Sequence, residues 1–169
     1  MTITLRPGKT EDAEALNHLY NWYVAHSSIT FDIEPWSLPR REQWIQTFTE
    51  PGSRYHLIVA LQQEKLAGFA CNGRFRPKAA YNSSTEVTVY TAPEGAPKGA
   101  GTLLYKALFQ ALADTDLHRA YAIIALPNDA SIRLHRKFGF REVGTLDQVG
   151  TKFSERVSVT WFEKALDQS

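Results

Sequence analysis

The stretch Glu94–Leu112, EGAPKGAGTLLYKALFQAL, follows a β-branched run, Val87–Thr91 (VTVYT), and sets Gly95, Gly99 and Gly101 at the start of an apolar-periodic segment. Bare backbone feeding a helix start suits an anion, because the first-turn N–H groups lack intrahelical partners and the helix dipole adds partial positive charge. A phosphate is the obvious guest. The glycines do not spell G-x-G-x-x-G, and no Lys-Ser/Thr pair follows the last of them, so a plain turn before a helix accounts for the same residues. The rest of the chain has to decide between the two.

At 169 residues the chain is expected to form a single domain, spanning 1–169, that needs no disulfide or metal staple. Its net charge is +1 and its lysines and arginines are scattered, which argues against a nucleic-acid or membrane-surface partner and for a small molecule. Cys71 is the only cysteine, so no internal disulfide is possible; its flanks, FACNG, suggest a buried strand thiol. No apolar span of about 18 residues occurs, and the first residues, MTITLRPGKTED, do not read as a signal peptide. These features predict a soluble, cytoplasmic protein.

Working outward from the quoted segment, Glu86–Thr91 reads as the strand before it and Ala120–Leu126 (AYAIIAL) as the strand after it. The second run is continuously apolar, as for a strand covered on both faces. Asn128 and Asp129 in PNDAS can turn the chain and cap a helix over 131–138, which Gly139 stops. Phe140–Val149 and Val157–Phe162 read as antiparallel strands. Upstream, 55–61 and 66–75 form a hairpin around QQEK, and Thr2–Leu5 is a first strand. Thr10 is the expected N-cap of a helix with a stripe of Leu16, Leu19, Tyr20, Tyr23 and Val24, ending near His26. The segment 27–39 (SSITFDIEPWSLP) is too broken for a helix and too long for a turn, the kind of loop that often carries function. A second helix follows with Pro39 in its first turn and Trp44, Ile45 and Phe48 facing the core. The order predicts an α/β (α+β) fold, a mixed sheet with helices on both faces.

That order, the strand-to-glycine-loop junction and PNDAS…LHRKFGF together resemble the GNAT superfamily of acetyl-CoA-dependent N-acetyltransferases. FRPKAAYNSSTEVTVYT, ALPNDASIRLHRKFGF and VGTKF are similar to the branch that acetylates the α-amino group of phosphinothricin and methionine sulfoximine, from Leu5 to about Phe162. The resemblance implies a mostly antiparallel central sheet with splayed strands, acetyl-CoA as co-substrate without a metal, and a homodimer with its sites near the subunit boundary.

Acetyl transfer to an amine needs the amine neutral, the oxyanion stabilised and the departing thiolate supported. By resemblance, Glu86 stands where the family has its base-like glutamate; a solvent-facing strand carboxylate is the plain alternative. The backbone around Val89, Tyr90 and Thr91 would hold the pantetheine arm. The loop Ala96, Pro97, Lys98, Gly99, Ala100, Gly101 would take the pyrophosphate, and Asn128 would bond the pantetheine, although its turn chemistry alone explains it. His135 occupies the position of the family's general-acid tyrosine, or else simply packs in its helix. Arg76 would face the acceptor's anion, with Tyr81 and Phe31 shaping the pocket; ordinary packing accounts equally for Phe31 and Trp36.

The chain departs from the family twice. Where relatives read R-G-x-G-x-G it has A-P-K-G-A-G, so Ala96 replaces a cation, Pro97 removes a donor, and Lys98 is the available point charge. After VGTKF, Ser154, Glu155 and Arg156 replace Gly-Arg-Trp. The departures keep open a degenerate domain that binds acyl-CoA or a partner without turnover. An enzyme acting on a polyamine, an aminoglycoside or a protein N-terminus also stays open.

Overall fold

The computed structural model describes residues 2–166. Strand β1 (Ile3–Pro7) lies antiparallel to β2 (Leu57–Gln62), and β2 to β3 (Lys65–Arg74), the latter two joined through Gln63 and Glu64. Both turn residues have positive φ, 49° and 61°, the twist sense that a two-residue hairpin needs to match its strands. β4 (Ser84–Thr91) continues antiparallel to β3. β5 (Arg119–Ala125) then pairs on one side with β4, in parallel, and on the other with β7 (Glu155–Ala165), while β6 (Arg141–Lys152) closes the far edge. The seven strands run in the order β1-β2-β3-β4-β5-β7-β6, mixed, as the element order predicts, and mostly antiparallel, as the resemblance implies.

Alternation along β2 and β3 sorts the core into two layers. Ile58, Ala60 and Ala70 turn to one face, where helix α3 (Ala100–Leu112) lays down Leu104, Tyr105, Leu108 and Leu112. Leu57, Val59, Phe69 and Cys71 turn to the other, against Leu16 and Leu19 of α1 (Ala13–His26) and Ile45 of α2 (Leu38–Thr49). Each such buried aliphatic side chain contributes about 1.5–3 kcal/mol. Helix α4 (Asp129–Lys137) follows β5, capped by the Asn128 side chain, which accepts from Ser131 N–H at 3.2 Å.

Two local expectations are corrected. Thr10 does not cap α1; a 3₁₀ turn over Thr10–Asp12 comes first, and the Asp12 carboxylate reaches back to Lys9 N–H at 2.9 Å while gripping Arg6 through two 2.7 Å bonds. β5 is not covered alike on both faces: Ala120, Ala122 and Ile124 are buried whereas Tyr121 and Ile123 are only half-buried, Ile123 on a cavity wall and Tyr121 stacked on the Phe75 ring.

Burial would lift the Asp12 carboxyl, but the bonds from Arg6 and Lys9 outweigh it and hold the group below the usual carboxylate range. Asp12→Asn is expected to lower stability by about 1–3 kcal/mol, read as a fall in the urea midpoint. A depressed folded-state pKa gives stability that is complete above about pH 4 and is lost as pH falls towards that pKa, so the wild-type margin over Asp12→Asn should shrink in acid.

Candidate functional site

β4 and β5 are paired only over Ser84–Glu86 and Arg119–Tyr121; beyond that rung they separate. Ala92 donates to Ala67, and bonding sides alternate along an antiparallel strand, so the N–H groups of Val89 and Thr91 face away from β3 into the gap. The Thr91 carbonyl on that edge is held by the Tyr23 hydroxyl at 2.9 Å. Around the gap opens a cavity of about 1270 Å³, bounded by the open strands, the 27–36 loop and the facing ends of α3 and α4.

Glu86 sits on the last paired rung, on the same face as Cys71, and lines the cavity. Its carboxyl is raised above the ordinary value by burial, with the Arg76 guanidinium, 3.8 Å away, pulling the other way. Arg76 is itself stacked over Phe75 and Trp161, 4.5 and 4.9 Å from the ring centroids. Phe31 lines the cavity and rests on Gly150, where a Cβ would collide with its ring. Lys152 straps the same loop down by donating to Thr30 O at 2.9 Å. Tyr81 stands off the cavity wall on a short 3₁₀ turn, 45% exposed, its ring edge against Phe75. The Cys71 thiol is buried and pushed up to about 12.

At the other end of the gap, Gly99 takes φ 90° at the N-terminus of α3, a conformation that favours glycine. Ala100 N–H is satisfied by Pro97 O, but the N–H groups of Gly101 and Thr102 have no backbone acceptor within the helix. Gly99, Gly101 and Thr102 line the cavity; Ala96, Pro97, Lys98 and Ala100 do not. Two cations missed in the sequence do: Arg133 and Lys137, one turn apart on α4, with Lys137 Nζ 3.4 Å from Thr102 Oγ1. Their i, i+4 spacing was the available signal.

His135 is 3% exposed, and both ring nitrogens are engaged. The Ser131 carbonyl, 2.7 Å from Nδ1, can only accept, so Nδ1 carries the proton and Nε2 accepts from the Tyr105 hydroxyl at 2.8 Å. Burial lowers the imidazole pKa, against the pull of the Ser131 carbonyl, which keeps the ring neutral near pH 7. Asn128 spends its Oδ1 on the helix cap, leaving Nδ2 for the cavity it lines. Two further lining side chains that sequence reasoning missed, Arg41 and Trp161, each carry a buried N–H donor, at Nη2 and Nε1, with no partner among the described residues.

A parallel pair opening after three paired residues, with a glycine-started helix behind it, matches a known architecture. The profile described as the acetyltransferase (GNAT) family matches residues 16–140. The chain belongs to the GNAT acetyltransferase family. A phosphinothricin N-acetyltransferase of Streptomyces coelicolor is 48% identical over 166 residues, covering 97% of this chain and 96% of the relative. An L-methionine sulfoximine/L-methionine sulfone acetyltransferase of Pseudomonas aeruginosa is 30% identical over 168 residues, covering 99% of this chain and 96% of that one. A solved GNAT phosphinothricin acetyltransferase from Sinorhizobium meliloti, in complex with acetyl-CoA, superposes with a TM-score of 0.92 at 27% identity, covering 100% of this chain and 91% of its own.

The residues of this GNAT chain fit acetyl-CoA. A strand edge with outward N–H groups suits an amide-bearing arm, and the open space where a Gly99 Cβ would stand, with free first-turn donors and nearby cations, suits a pyrophosphate. Among the described residues no cluster of three or more His, Cys, Asp or Glu could hold a metal ion, and no helix is long and apolar enough to cross a membrane.

Proposed function

We propose that this GNAT enzyme acetylates the α-amino group of a small amino acid of the phosphinothricin or methionine sulfoximine type, the compounds that appear in its relatives' names. The observation that carries the reading is Glu86, lifted by burial, at the foot of the open β4 edge with Arg76 beside it. Acetyl-CoA supplies the activated acyl group. Glu86 takes the ammonium proton, Val89 and Thr91 N–H groups orient the pantetheine arm and polarise the thioester carbonyl, and Asn128 Nδ2 holds a pantetheine amide. Arg76 faces the acceptor's α-carboxylate, and Phe31 covers it.

A neutral, doubly bonded His135 supports a positioning role, fixing Tyr105 between α3 and α4, over proton donation. Transfer would be direct from co-substrate to amine, the N–C bond forming as the thioester C–S bond breaks and coenzyme A leaving with the proton the amine gives up, because a thiol pushed up to about 12 gives Cys71 no usable thiolate. The fold reading, a single 1–169 domain, extends to a cytoplasmic homodimer. Its support is one reduced cysteine, and an edge strand β6 whose Val143, Leu146 and Val149 lie exposed. Sedimentation at micromolar concentration tests the dimer.

The deciding experiment is an acetylation assay across phosphinothricin, methionine sulfoximine, spermidine and an aminoglycoside. Turnover of the first two is expected; turnover confined to the cationic amines overturns the reading. Arg133 and Lys137 take over the charge that Ala96 lacks. The double variant Arg133→Gln, Lys137→Gln should weaken coenzyme A binding about tenfold in low salt, and by less near 1 M salt, where exposed charges are screened.

A further inference from the structure

Arg41 is a cation that the fold leaves incomplete. It is 1% exposed, on the inward face of α2, and its guanidinium lies against the rings of Trp36, Trp44 and Tyr20 at 4.1, 4.6 and 4.7 Å. Those rings attract the charge but offer no hydrogen-bond acceptor in the guanidinium plane. Among the described residues the guanidinium has one long bond, Nε to Asn17 Oδ1 at 3.5 Å, and Nη2 has none. Asp32, the acid beside this cluster, spends Oδ2 on the Tyr20 hydroxyl at 2.5 Å and on Trp36 Nε1 at 2.7 Å. Among the described residues no carboxylate lies within ion-pair distance of Arg41. Burial draws the group down to about 10, which leaves it charged at neutral pH. An unpaired buried cation is costly, and an oxyanion on Nη2 would remove that cost.

The cavity leads to it. Arg41 lines the same space as Glu86, and the Cys71 thiol feels the charges of both. Cys71 is level with Thr88, two residues along β4 from Glu86 and therefore about 7 Å from its rung. An extended amino acid of glutamate length with its amine at Glu86 runs past the level of Cys71 within the one cavity that Arg41 also lines. We propose that Arg41 Nη2 binds the terminal oxyanion, phosphinate or carboxylate, of an acceptor whose α-amino group lies at Glu86 and whose α-carboxylate faces Arg76. The acceptor is then read at both ends, which deepens the acetyl-transfer reading above and rests on it.

The test compares kcat/KM for phosphinothricin, with an anionic terminus, and methionine sulfone, with a neutral one of similar length. Wild type should favour phosphinothricin by about tenfold or more, the worth of a charge-assisted hydrogen bond. Arg41→Gln should collapse that ratio through a raised KM for phosphinothricin, and Arg41→Lys should recover part of it. An Arg41 that only props the aromatic rings would lower both acceptors in proportion and leave the ratio intact, which overturns the proposal. Should neither variant fold, the wild-type ratio decides, since parity or a preference for the sulfone equally overturns it. Acetylation of neither compound sinks the acceptor class and the Arg41 assignment together, whereas acetylation of both at equal efficiency sinks Arg41 alone.

Discussion

Glu86→Gln is expected to lower kcat by roughly 10²–10⁴-fold near neutral pH while leaving coenzyme A affinity nearly unchanged. Glutamine keeps the shape and removes the basicity together with the negative charge that faces Arg76. Because burial raises the carboxyl above its ordinary value, the acid limb of the wild-type kcat/KM profile should lie at higher pH than for a solvated glutamate. Arg76→Gln removes the cation that holds the carboxyl down, so that limb should move further up. The deficit of Glu86→Gln should shrink as pH rises towards the amine's own pKa, since more acceptor is then already neutral. A purely structural glutamate gives a pH-independent loss instead. A variant with wild-type kcat across about pH 6 to 9, a range running towards a typical amine pKa, would take Glu86 out of the mechanism.

What the sequence made legible was local. The junction of β4 with α3 is written in a β-branched run followed by glycines, and the start of α4 in an asparagine whose cap bond spans three residues. The pairing of β2 with β3 needs only a two-residue turn between β-rich runs. The 27–36 loop carries no such local code. Its order comes from Asn17 and Asn21, each donating to Trp36 O at 2.9 Å, and from Lys152, 122 residues from the Thr30 carbonyl it holds.

The site divides along the same line. Asn128 and the glycine loop fall at element ends, where residue type signals place, and Glu86 is the third residue of β4; the structure puts Glu86 and Asn128 on the cavity wall with Gly99 and Gly101. Arg41 was missed because an arginine on a helix reads as solvated surface, and only the rings of Tyr20, Trp36 and Trp44 converging on it bury it. His135 illustrates the reverse. A helix histidine invites a proton-transfer role, but its partner Tyr105 lies 30 residues away, and that contact ties up the second nitrogen. Periodicity predicts which side of a helix faces inward and says nothing of the partner met there.

Gly68 couples the fold to the β4 edge proposed to hold coenzyme A, and its replacement should be felt in both. A Cβ there would stand 2.6 Å from Tyr90 O and 3.0 Å from Thr91 Cα, both backbone atoms of β4, and 3.1 Å from Leu104 on α3. Backbone on one side and a fully buried leucine on the other leave no flexible neighbour to give way, so β4 or α3 has to shift. Gly68→Ala is therefore expected to destabilise the protein by about 1–3 kcal/mol, and Gly68→Val by more, seen in urea or thermal melts. The displaced segment carries the Thr91 N–H group, so coenzyme A affinity in the folded fraction should fall with it. A distant core change of equal or larger stability cost, Leu112→Ala in the last turn of α3, should leave that affinity in place in the folded fraction. If Gly68→Ala and Leu112→Ala lose coenzyme A binding equally, or Gly68→Ala loses none, the β4 edge does not hold the arm. If the two separate as expected, the close approach of β3 to β4 at Gly68 is what aims the Thr91 donor into the gap.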